Sequence, residues 1–168
     1  MKNIQRYTTV ALPIVPYIPG FNQRKTVTQQ IESLPLAAIS EVKPIDNTLF
    51  LFGVDLFNGG FYWEAHEAWE ELWHAEKDLK VRRTLQGLIQ MTAGFVKVRQ
   101  CNKEGIKALF SAALDKISLE VCDQLAIDCK EMLKAMRESL EVVDRGDWTL
   151  QRGEALCRDA RLEVHPFL

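Results

Sequence analysis

The chain has 168 residues, 47% of them hydrophobic and 26% charged, with a formal net charge of -2. That is enough apolar material for one buried core, and it lacks the basic excess a nucleic-acid backbone demands of its partner. With no apolar run long enough for a membrane span, no secretory signal, and no C-x-x-C pair among Cys101, Cys122, Cys129 and Cys157, the expectation is a cytoplasmic protein with reduced thiols acting as small core residues.

Residues 1–45 are expected to form an extended arm. The segment "ALPIVPYIPG" sets prolines at 13, 16 and 19 among Leu12, Ile14, Val15, Tyr17 and Ile18, which forbids regular helix and favours extended backbone. Its apolar content predicts that it lies on its own domain or on a partner, so a homodimer is a candidate assembly. The stretch 22–30 suits a loop or a short helix, and "ESLPLAAISEVKP" is broken by Pro35 and Pro44.

Residues 46–168 are expected to be a single all-α domain, a compact bundle of about five to six helices, because helical periodicity dominates and no alternating run supports a sheet. The predicted helices are 48–57, 61–76, 81–101, 103–116, 119–145 and 149–158. Asn58-Gly59-Gly60 supplies the first turn and Gly146-Asp147 another, and "VHPFL" is expected to be a tail.

The chemistry concentrates in "FYWEAHEAWEELWHA", residues 61–75. On a helical wheel Phe61, Tyr62, Ala65, Trp69, Leu72 and Trp73 form a core arc, and His66, Glu70 and His74 follow one stripe at its edge. Glu64, Glu67 and Glu71 continue toward the opposite face with Trp63 among them, so something else should cover that tryptophan. The next helix is apolar nearly all round, with Gln86, Gln90 and Lys97 as a polar stripe within about 40° of one another. Gly87 and Gly94 mark a face where a neighbour can come close. Antiparallel packing across the short 77–80 connection would set Gln86 and Gln90 opposite the Glu67, Glu70 and Glu71 region. The expectation is a polar pocket walled by tryptophan.

In that pocket His66 is the candidate base, oriented by a carboxylate, with Glu67 beside it in a hydrolase-like arrangement. Glu64, Glu70, Glu71, Trp73, Gln86 and Gln90 are candidate ligand-binding residues. "HEAWE" is like the zinc signature H-E-x-x-H, with Glu70 in place of the second histidine, so His66, Glu70 and His74 are a candidate set for a divalent metal such as manganese or iron. No nucleophile elbow or phosphate loop accompanies them, and the cofactor and substrate stay open. The competing readings are a structural hydrogen-bond network between two helices and a non-enzymatic helical module that binds protein.

Through "LFNGGFYWEAHEAWEELWHA", "LQGLIQMTAGFVK" and "GIKAL", the chain resembles a bacterial and archaeal family known as a domain of unknown function, number 309 in that series, over roughly residues 47–115. The matching positions are Gly60, Glu64, His66, Glu67, Glu71, Trp73, Gln86, Gly87 and Gln90. The resemblance implies a compact all-helical fold and no established activity. Trp69 stands where the family pattern leads us to expect an aliphatic residue.

Overall fold

The computed structural model describes residues 5–23 and 27–165. Its helices are α1 (Thr28–Glu32), α2 (Thr48–Asn58), α3 (Tyr62–Ala75), α4 (Leu79–Arg99), α5 (Lys103–Lys116), α6 (Leu119–Gln124), α7 (Lys130–Asp144) and α8 (Leu150–Asp159), and the fold is all-α as expected. A two-residue ladder pairs β1 (Ile127–Asp128) with β2 (Glu163–Val164), antiparallel, with Ile127 opposite Val164. Two turns of 3-10 helix, Ile39–Glu41 and Pro44–Asp46, fill the proline-broken stretch before α2.

Helix starts follow side-chain caps. Asn47, Asp78, Asn102, Ser118 and Thr149 each accept a main-chain N–H from the first turn of α2, α4, α5, α6 and α8, replacing acceptors that a helix end cannot supply. Asp78 explains why α4 begins two residues earlier than its apolar pattern suggested. After α2, Gly60 takes φ +80°, the left-handed turn that glycine makes without a Cβ penalty.

Helices α2 to α5 form successive antiparallel hairpins. Gly53 of α2 faces Trp69 of α3, and Phe57 faces Tyr62. Tyr62 stacks on Phe95 of α4, and further along α3 Trp73 meets Arg82. Gly94 faces Phe110 of α5 and Gly87 faces Ile117, so the two glycines of α4 are where the neighbouring helix comes close. The core is centred on Phe50, Phe52, Phe57, Trp69, Phe95 and Phe110, all fully buried.

The structure departs from the sequence reading between 119 and 145. One long helix was expected; instead α6 stops at Gln124, Ala126 takes φ +56°, and α7 restarts at Lys130. The break exists because the expected tail is not free: β2 pairs with Ile127–Asp128, and the His165 N–H donates to the Ala126 carbonyl at 2.8 Å. Cys122 and Cys129 therefore lie across a turn, not on one helix face. Their thiols are hydrogen-bonded to each other, which pushes Cys122 up and holds Cys129 down. Positions 24–26 and 166–168, which the sequence reading assigned to a loop or short helix and to the tail, lie outside the described residues.

The arm crosses α2 and α3. Asp55, fully buried, accepts the Tyr7 and Thr8 N–H groups at 2.8 and 2.9 Å and the Thr8 hydroxyl at 2.7 Å, and pairs with Arg6 at 3.0 Å. Farther along, Gln100 Nε2 donates to the Pro19 carbonyl at 2.8 Å. Among the described residues, no helix is long and apolar enough to cross a membrane.

Candidate functional site

His66 sits in the seam between α3 and α4 with its side chain 21% exposed. Its Nδ1 lies 3.3 Å from the Ile89 carbonyl of α4, and its Nε2 lies 3.8 Å from Glu70 Oε2. A carbonyl can only accept, so the first contact assigns a proton to Nδ1 and leaves Nε2 toward Glu70 and solvent. The imidazole also stacks on Trp63, with centroids 5.6 Å apart and planes at 15°. Ring and carbonyl together fix the plane of the histidine.

The cover that Trp63 called for is the arm. Tyr17 meets Trp63 edge-on at 5.6 Å, and the Tyr17 N–H donates to Glu64 Oε1 at 2.8 Å. Glu64, only 1% exposed, thus holds main chain of the arm. Two further polar atoms lie on these helices, on Trp63 of α3 and on Gln90 of α4 next in sequence to Ile89. The Trp63 indole N–H and the Gln90 side-chain carbonyl are buried, and neither has a hydrogen-bond partner among the described residues. One is a donor and the other an acceptor, each costing roughly 1 to 3 kcal/mol if left unmatched.

The other predicted residues divide between this seam and the surface. Gln86 is half-buried on the same stripe of α4 as Gln90, and Glu67 is half-buried on α3. Glu70, Glu71 and His74 are exposed. Glu71 borders a cavity of 230 Å³ beside Ile31 and Leu49, away from His66. His74 packs edge-on against Trp73. Among the described residues no group of three or more His, Cys, Asp or Glu could hold a metal ion, so His66, Glu70 and His74 do not come together as a ligand set. His74 lies two helical turns from His66, beyond the reach of one ion's coordination sphere.

Three residues outside the predicted set complete this region. Arg82 lies 4.0 Å over the Trp73 ring and donates to the Trp73 and Glu76 carbonyls at 2.7 and 3.0 Å, tying the end of α3 to the start of α4. Glu76, in the charged stretch after α3, is only 2% exposed and accepts from the Ser40 hydroxyl and from the Ser40, Lys77 and Asp78 N–H groups. Burial pushes its carboxyl upward, but these bonds outweigh it and hold the pKa below the ordinary value. Asp55 is the third. Its signal was the lone charged residue in "TLFLFGVDLFN". Lys97, expected on the polar stripe, donates to Gln100 Oε1 at 2.8 Å.

A separate cavity of 430 Å³ opens where α2, α4 and α8 end, bordered by Ile18, Tyr62, Arg99, Glu154, Arg158 and Arg161 among others. Tyr62 donates its hydroxyl to the Cys157 carbonyl at 3.3 Å. Burial pushes both the Tyr62 phenol and the Cys157 thiol upward, so both are neutral at physiological pH.

Residues 50–109 match the sequence model of a family described as Domain of unknown function (DUF309). That span contains α3, α4 and every residue around His66 except those of the arm. No curated protein and no solved structure matches the chain.

Proposed function

Taking residues 50–109 as a DUF309 domain, we propose that its α3–α4 seam binds a small polar molecule beside His66, with the arm as one wall. The observation that carries this reading is the pair of buried, unmatched atoms, the Trp63 N–H donor and the Gln90 acceptor, on the two helices that enclose a half-buried histidine. Buried polar groups without partners are uncommon in native proteins, and a ligand with one acceptor and one donor satisfies both. His66 Nε2 is the group that such a ligand meets from the solvent side, as hydrogen-bond partner or as proton acceptor. Gln86 and Glu67 border the ligand; Glu64 acts indirectly, by holding the arm that covers Trp63.

Acetamide, which carries one donor and one acceptor, is the probe. Its titration is expected to shift the His66 ring proton resonances and the Trp63 indole N–H resonance in the native chain, and Gln90→Met is expected to abolish both shifts while the protein stays folded. Unchanged resonances in the native chain, or equal shifts in the variant, would overturn the reading.

A second reading is an interaction module that pairs copies of the chain through the arm. It is favoured by the outward apolar side chains of Ile14, 97% exposed, and Phe21, 70% exposed. Its test is the mass in solution when those two side chains become charged.

A further inference from the structure

We propose that the cavity at the ends of α2, α4 and α8 is a binding site for a small phosphate monoester, held by Arg99, Arg158 and Arg161. Three guanidiniums and one carboxylate, Glu154, border this space of 430 Å³, a volume within the range of small-molecule sites. Tyr62 and Cys157 contribute no negative charge, being protonated. Among the described residues none of the three arginines forms an ion pair, whereas Arg6, Arg83, Arg145 and Arg152 each pair with an aspartate or glutamate. Three cations facing one carboxylate leave positive charge in excess, and an anion converts their mutual repulsion into attraction.

A structural role accounts for part of the cluster. Arg161 donates to the Cys157 and Ala160 carbonyls at 3.2 and 2.6 Å, which satisfies the end of α8. Arg99 has no such employment. It makes no hydrogen bond among the described residues, lies 4.6 Å over the Tyr62 ring, and is half-buried. Stacking orders the guanidinium and leaves its N–H edge for an acceptor, the geometry by which arginine takes phosphate. At the adjoining turn a Cβ on Gly60 would come within 2.8 Å of the Arg99 Nη2, so this glycine leaves the arginine its room.

The chemistry of the lining favours a monoester over a simple ion. A phosphate dianion offers three acceptor oxygens to three guanidiniums. Ile18 from the arm and Leu150 from α8 add apolar lining, so an organic substituent has a surface to cover.

Calorimetric titration of the full-length chain with phenyl phosphate, inorganic phosphate and benzoate tests this. Phenyl phosphate is expected to bind, with benzoate weaker by about tenfold because it carries one charge and two oxygens. Arg99→Gln is expected to weaken phenyl phosphate by at least about tenfold. Arg158→Gln, a change at an exposed side chain, is expected to weaken it less and supplies the same test if the first variant fails to fold. Absence of binding by the native chain, benzoate equal to phenyl phosphate, or unchanged affinity in a folded variant would each overturn the assignment. Inorganic phosphate binding as tightly as the ester would overturn the role given to Ile18 and Leu150.

Discussion

Glu76 shows how a charged residue that belongs to a sequence's surface pattern becomes part of its interior. It follows α3, and with four donors around its carboxylate it joins the 3-10 turn at Ser40 to the start of α4. Its folded pKa lies below the ordinary value, so the carboxylate stabilises the fold above the unfolded pKa, and this contribution is lost as pH falls through the folded one. Glu76→Gln keeps the shape and removes the charge. Chemical denaturation at neutral pH is expected to show a loss of about 1 to 3 kcal/mol, narrowing toward zero as the pH is taken below the ordinary glutamate range. A loss that is constant across pH would refute the assignment. His66 and Trp63 were legible in the sequence as out-of-place residues on a helical wheel. Glu76 was not, because its partner Ser40 lies 36 positions away in a segment without regular pattern.

At the scale of elements, the α2–α3 hairpin is set by one absence. The Trp69 indole N–H donates to the Phe50 carbonyl at 3.2 Å, and the ring occupies the place where a side chain at Gly53 would stand, its Nε1 only 2.1 Å from a Cβ built there. Trp69, where an aliphatic residue was expected, is thus accommodated by a glycine on the facing helix. Gly53→Ala must displace a fully buried indole and is expected to destabilise by about 1 to 3 kcal/mol or more, measured as a lower midpoint of thermal or denaturant unfolding. An unchanged midpoint would show that the hairpin can spread without cost. The helices from α2 to α5 were legible because apolar residues recur at helical spacing along them, and Asn58-Gly59-Gly60 and Asn102 mark two of the breaks between them. The division of 119–145 was not, since "LAIDC" contains no proline or glycine. What breaks the helix there is a strand from 36 residues later, and a local pattern carries no trace of it.

The whole molecule is organised around α2, where Asp55 and Asn58 hold segments from opposite sides of the sequence. Asp55 binds the arm at Arg6, Tyr7 and Thr8, and Asn58 binds Leu162 through both its amide groups, accepting at 3.0 Å and donating at 2.7 Å. The two ends also touch directly, since the Val164 N–H donates to the Tyr7 hydroxyl at 3.0 Å. An arm fastened this way presents Ile14 and Phe21 outward as a fixed surface. If copies of the chain pair through that surface, Ile14→Asp with Phe21→Asp is expected to reduce the mass seen in sedimentation from dimer to monomer without altering helix content. An unchanged mass would remove the arm from any assembly. The same fastening gives the protein an order of completion during synthesis. The arm is made before Asp55 and can meet it once α2 has emerged, but Asn58 must wait while 104 further residues are added, roughly 5 to 20 seconds at ordinary rates of translation. Through that interval the Asn58 amide has no native partner, and water must serve it until Leu162 arrives.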